Sequence, residues 1–128
     1  MLFLLDTSVA VPVRDGDEAV LTRVEALEGD ACMSVITRVE LEGGVGRIAH
    51  EAEIRRRRLD EMLATVPSVA FDDLAADRYR GIVEAVGFSR PRVIDWMIAA
   101  HALALDATVV TLNGRDFSDI PGLKLEAW

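Results

Sequence analysis

The chain has one cysteine, one lysine and two histidines among 128 residues. A lone Cys32 cannot form an intramolecular disulfide, and a zinc site built from cysteines is excluded with it. A reducing, cytoplasmic setting fits. Aromatics are scarce, at 5% of residues, so the core must come mainly from Val, Leu, Ile and Ala. No apolar run reaches the about 18 residues that a membrane span needs. The opening Met1–Leu5 meets Asp6 at once, too soon for a signal-peptide core, and reads as a strand. Basic residues are outnumbered as well: 14 Lys and Arg against 22 Asp and Glu give a formal net charge of -8. Phosphate binding usually leaves a basic footprint, so this balance by itself argues against a nucleic-acid partner.

Two features offset that argument. Carboxylates gathered in one place can be the catalytic device itself, neutralised by divalent cations. The positive charge is also uneven and almost wholly arginine, the better residue for bidentate phosphate contacts. Arg55, Arg56, Arg57 and Arg58 are consecutive, and Arg90 and Arg92 flank Pro91.

Half of the residues are hydrophobic, which excludes disorder and suits one domain over residues 1–128. Strands are expected over 2–5, 31–35, 69–71, 107–112 and 123–125. A short helical turn over 8–13 should end near Pro12. Helices are expected over 18–28 behind Asp17, 36–49, 51–64, 74–87 behind Asp72 or Asp73, and 93–105. The last is apolar nearly all round, as a buried helix is. Strands alternating with helices predict an α/β fold, with a parallel sheet covered on both faces and ligands at the carboxyl ends of its strands.

Four carboxylates fall at that edge in this layout. Asp6 ends the first strand, Glu40 lies on the helix after the second, Asp95 begins the apolar helix, and Asp116 follows the strand 107–112. Each also has a structural reading. Asp6 can cap the turn after it. Thr37-Arg-Val-Glu40 matches a capping box. Asp95 suits a helix first turn, and Asn113-Gly-Arg-Asp116 has the composition of a turn. Taken together, four converging acids without basic partners repel one another unless a cation neutralises them. All-oxygen ligands favour Mg²⁺ or Mn²⁺ over zinc. The matching chemistry is phosphodiester cleavage by metal-activated water, with one ion or two about 3.5–4 Å apart.

The motifs Leu5-Asp6-Thr7-Ser8, Thr37-x-x-Glu40-Leu41, Asp95-x-x-Ile98-Ala99-Ala100-His101-Ala102, Thr111-x-Asn113-x-x-Asp116-Phe117 and Ile120-Pro-Gly122-Leu123 occur in that order. Their succession resembles the PIN-domain ribonucleases, and within them the VapC-type toxins of prokaryotic toxin–antitoxin pairs. The resemblance spans essentially the whole chain. It implies a PIN-like three-layer sandwich with sheet order 3-2-1-4-5, a homodimer, metal-dependent endonucleolytic cleavage of RNA, and a cognate antitoxin that blocks the site. It carries the acidic set onto Asp6, Glu40, Asp95 and Asp116, with Asp6 and Asp95 as the most direct metal ligands. Thr7, Thr111 and Asn113 fall at supporting positions. The segment Phe88–Arg92 departs from the glycine-containing loop often found before the third acid, and Trp96 is bulkier than the residue usual after it.

The tract Arg55–Arg58 has two readings, RNA-backbone binding or solvated helix surface laced by i,i+4 pairs: Glu51 with Arg55, Glu53 with Arg57, and Arg56 with Asp60. His101, inside an apolar helix, reads as packed or hydrogen-bonded rather than as a base. Other classes fit poorly. A receiver-type phosphoacceptor domain needs a lysine near its acids, a dehalogenase-like phosphatase wants Asp-x-Asp where this chain has Asp6-Thr-Ser8, and no Gly-Lys-Ser/Thr phosphate loop occurs. The remaining alternative is a catalytically silent PIN-like module that binds RNA or a protein partner.

Overall fold

The computed structural model describes all residues from Met1 to Trp128. Five strands form one sheet: β1 (Leu2–Leu5), β2 (Asp30–Ser34), β3 (Ser68–Val69), β4 (Thr108–Thr111) and β5 (Lys124–Ala127). Their order is β3-β2-β1-β4-β5 and every neighbouring pair is parallel, as expected from the alternating pattern. The six helices are α1 (Thr7–Arg14), α2 (Glu18–Glu25), α3 (Val35–Val45), α4 (Ala52–Thr65), α5 (Asp73–Val86) and α6 (Val93–Leu105). None is long and apolar enough to cross a membrane.

Side-chain alternation along the strands divides the core in two. Leu4, Cys32 and Val109 join Ile82, Trp96, Ile98, Ala99, Ala100, Ala102 and Phe117 in the layer under α5 and α6. Phe3, Leu5, Met33 and Val110 join Val9, Ala10, Leu41, Leu59 and Met62 in the layer under α1, α3 and α4. Central β1 is therefore buried on both faces. The alanines of α6 let that helix lie close against the sheet, which is why a run with so little polar content is stable there.

Several boundaries differ from the sequence expectation, each for a local reason. The first helix continues through Pro12 to Arg14. The missing proline N–H forfeits one bond, but Val9, Ala10 and Arg14 are buried on that helix and hold it together. The third helix stops at Val45 rather than 49, in a stretch with glycines at 43, 44 and 46. Gly44 also makes room for Arg14, whose Nη1 would sit 2.8 Å from a Cβ at that position. The third strand is only Ser68–Val69, because Phe71 leaves the sheet to stack edge-on against His101, ring centroids 5.5 Å apart. Asp17 and Asp72 cap α2 and α5 as expected, accepting from Val20 N and Ala75 N.

The parallel ladder starts where Asp30 N donates to the Met1 carbonyl at 3.0 Å. Only glycine fits just before that contact, since a Cβ on Gly29 would lie 2.1 Å from the same carbonyl oxygen. Gly29→Ala should therefore cost about 1–3 kcal/mol, the range for forced overpacking. The expected readout is a lower urea midpoint at unchanged slope; an unshifted midpoint would mean that Met1 moves aside freely.

Candidate active site

Asp6 emerges from β1 with its backbone N–H still bonded across the sheet to the Val110 carbonyl at 3.0 Å. Its side chain turns to cap α1, with Oδ1 accepting from Val9 N and from the Ser8 hydroxyl. Oδ2 accepts from the Thr111 hydroxyl at 2.7 Å. The capping role and a role at the sheet edge are thus compatible, because each carboxylate oxygen carries two lone pairs. Asp6 is only 4% exposed. Burial raises its pKa, and the bonds from Ser8, Thr111 and Val9 oppose that rise without cancelling it.

The hydroxyls that hold Asp6 also fix the loop after β4. Ser8 Oγ accepts from Leu112 N at 2.9 Å, and Thr111 Oγ1 accepts from Asn113 N at 2.9 Å. Asn113 then leads into a 3₁₀ turn, Gly114–Phe117, where its carbonyl accepts from Asp116 N at 3.0 Å. Asn113 thus bears on Asp116 through its backbone. Ser8 stood in the first acidic motif, but its spacing gave no signal that it would bridge β1 to the β4 loop.

Glu40 is exposed on α3, and its Oε1 accepts from the Thr7 hydroxyl at 2.6 Å. The capping-box reading of Thr37 and Glu40 is not realised. Ser34 is the N-cap of α3, accepting from Ile36 N at 3.1 Å, and Thr37 is fully buried three residues further on. Ser34 makes a second contact: its hydroxyl lies 2.9 Å from His101 Nδ1. Burial lowers the ring's pKa, opposed by the charge of Asp72 and by the backbone at Ala70. The Ser34–His101 hydrogen bond ties α6 to the start of α3. His101 stands apart from the acids, in keeping with a hydrogen-bonded role.

Asp95 lies in the first turn of α6 and is half-buried. Its pKa is raised from 3.8 to about 6, first by burial and then by the charges of Asp116, Asp6 and Glu40, with Arg92 acting the other way. One carboxyl feeling the other three means that four separate stretches of chain bring their acids to one edge of the sheet. No three of them are drawn together as a ready-made metal cage. The donor set is nonetheless all hard oxygen, and its mutual repulsion is the kind that a divalent cation relieves. Clefts of about 630, 650 and 450 Å³ elsewhere on the molecule are lined by none of the four acids.

Three of the four consecutive arginines are engaged within the protein. Arg55 pairs with Glu51 and donates to the Gly44 carbonyl, Arg56 bridges Glu42 and Asp60, and Arg58 donates to the Asp15 carbonyl. Two of the expected i,i+4 pairs form, Glu51–Arg55 and Arg56–Asp60. The Glu53–Arg57 pair does not, and Arg57 and Arg58 are both exposed without a carboxylate partner. Arg56 in turn holds the Glu42 carboxyl below its usual range.

Fold and edge together define the class: the chain belongs to the PIN-domain family, whose profile matches residues 3–123. It is 30% identical over 132 residues to the tRNA(fMet)-specific endonuclease VapC of Shigella flexneri, covering 98% of this chain and 97% of that protein. It is 29% identical over 134 residues to Ribonuclease VapC2 of Rickettsia felis, covering 100% and 98%. Among solved structures, VapBC2 from Rickettsia felis bound to a promoter DNA fragment superposes with a TM-score of 0.88 at 28% identity, covering 100% of this chain and 99% of that one. DNA-bound VapBC from Salmonella typhimurium gives 0.85 at 28% identity, with the same coverage.

The raised Asp95 pKa carries a stability consequence of unusual sign for an aspartate. Between about pH 4 and 6 the folded state holds a proton that the unfolded chain has released, so stability is highest below that window and falls as pH rises through it. In EDTA, the melting temperature of the wild type should drop from pH 4.5 to pH 7 relative to Asp95→Asn. Parallel curves for the two proteins would show that Asp95 does not titrate in that window.

Proposed function

We propose that this protein is a metal-dependent endoribonuclease, the toxin of a toxin–antitoxin pair, with residues 1–128 acting as one nuclease unit. The observation that carries the reading is that Asp95 feels the charges of Asp116, Asp6 and Glu40 at the carboxyl edge of a parallel sheet. Its relatives are named as endonucleases and ribonucleases, and the similar structures are toxin–antitoxin complexes. The antitoxin is the partner that holds the toxin in check. A cytoplasmic location and a homodimer belong to the same reading.

Asp6 and Asp95 would hold Mg²⁺ or Mn²⁺ directly, with Glu40 and Asp116 completing the charge around it. The ion supplies a water of lowered pKa and offsets the charge of the phosphodiester. The chain's own residues do the rest. Ser8, Val9 and Thr111 fix the Asp6 carboxylate, leaving one lone pair of Oδ2 free. Thr7 steers Glu40, whose exposed carboxylate can take a proton from the attacking water. Water adds to phosphorus, one P–O bond breaks, and the departing oxygen is protonated.

The test is cleavage of single-stranded RNA by the purified protein with Mg²⁺, with Mn²⁺ and with EDTA. Activity should need the metal. Asp6→Asn and Asp95→Asn should each lose at least about a hundredfold in rate, since several kcal/mol of charge stabilisation are at stake, while remaining folded by circular dichroism. Wild-type rates in both variants at saturating Mg²⁺ would sink the assignment. RNA binding without cleavage in any metal would favour the silent module instead.

A further inference from the structure

Arg92 closes a 3₁₀ turn, Arg90–Arg92, directly before α6 and three residues ahead of Asp95. Its Nη1 donates to the backbone carbonyl of Asp116 at 3.4 Å, so the side chain spans from the start of α6 to the turn that carries the fourth acid. The residue is half-buried. No carboxylate lies within ion-pair distance of it, although it is close enough to Asp95 to oppose the rise in that group's pKa. Elsewhere in this acidic chain, Arg14, Arg38, Arg55, Arg56 and Arg80 each hold a carboxylate. Arg92 sits beside the densest group of acids and pairs with none.

A guanidinium has five N–H donors in a fixed fork and stays charged at any physiological pH. One long bond to a carbonyl uses only one of the five. The remaining donors match the oxygens of a phosphate, which accept such a fork in bidentate fashion. A polyanion approaching four carboxylates is repelled, and a cation held at their border without being neutralised by them would offset that repulsion where the backbone must pass.

The geometry points to Arg92 as a substrate-binding residue that grips a phosphate of single-stranded RNA at the border of the acidic edge. The inference rests on the ribonuclease reading and adds to it where the RNA backbone lies, between the Arg90–Arg92 turn and the Gly114–Phe117 turn. The strap to the Asp116 carbonyl occupies one of the five donors and leaves the other four without a protein partner.

The experiment compares the wild type with Arg92→Gln and Arg92→Lys. Binding of a single-stranded RNA oligomer is followed by fluorescence anisotropy in EDTA over a salt series, and cleavage kinetics are then followed in Mg²⁺. Arg92→Gln should weaken RNA binding about tenfold and reduce the salt slope of log K by about one unit of charge. In Mg²⁺ its KM should rise by a similar factor. Arg92→Lys should keep the salt slope and recover only part of the affinity, because a point charge replaces the fork. Unchanged RNA affinity and salt slope in Arg92→Gln, with a shifted melting temperature or Mg²⁺ affinity, would overturn the inference and make Arg92 a strap between turns. If the wild type binds RNA in EDTA but cuts it with no divalent metal, the ribonuclease reading fails, while the binding arm still decides on Arg92. If the wild type neither binds nor cuts RNA, both fall.

Discussion

Asp6 is a carboxylate at the end of the central strand, almost wholly removed from water. An ionised group in that position is costly unless donors surround it. Here three donors do: the Ser8 hydroxyl, the Thr111 hydroxyl and Val9 N. Those donors come from both sides of the junction, Ser8 and Val9 from α1 and Thr111 from the end of β4. Satisfying one buried charge therefore joins β1, α1 and the β4 loop into a single unit. The loop that carries Asp116 is set by the same hydroxyls, through Leu112 N and Asn113 N.

The other acids hang on that unit by separate ties. α3, which carries Glu40, is held at its start by Ser34, whose hydroxyl also meets His101 of α6. Its far end is gripped by two guanidiniums, Arg14 on the Leu41 carbonyl and Arg55 on the Gly44 carbonyl. Cations are favourable at the carbonyl end of a helix, so these contacts steady the helix and set the height of Glu40 against the sheet. α6 brings Asp95 to the same edge because its alanine-rich surface packs closely on β1 and β4. The resulting repulsion adds to burial in raising the Asp95 pKa. A bound cation would convert the same repulsion into affinity.

Much of the fold was legible because its signals are local and periodic. An apolar run meeting Asp6, a second over 31–35, and the near-uniformly apolar α6 all announce themselves in the sequence. The alternation of strands and helices points to a parallel sheet on general grounds; the specific order β3-β2-β1-β4-β5 came from family resemblance, and the structure has that order. What failed locally did so through contacts distant in sequence. Phe71 looked like strand but is drawn to His101. Thr37 and Glu40 looked like a capping box, but Ser34 already caps the helix and Thr37 is needed in the core. The arginine tract looked like one feature, yet Arg55, Arg56 and Arg58 find three different sets of partners.

Residue type and order alone announced the alternation of strands and helices, Asp6 at a strand's end, Asp95 at a helix's start, and the lack of any cysteine cage or lysine beside the acids. These follow from residue type and spacing, which act over a few neighbours. Only the tertiary structure decided that Asp6 is buried and clamped by Ser8 and Thr111, that His101 serves as a bridge, and that Arg92 lies across to Asp116 without a carboxylate of its own. Such facts depend on which groups meet across 24, 67 or 105 residues of intervening chain. The physical reason is that hydrogen-bond partnership and burial belong to pairs in space, and spacing along the chain does not encode them.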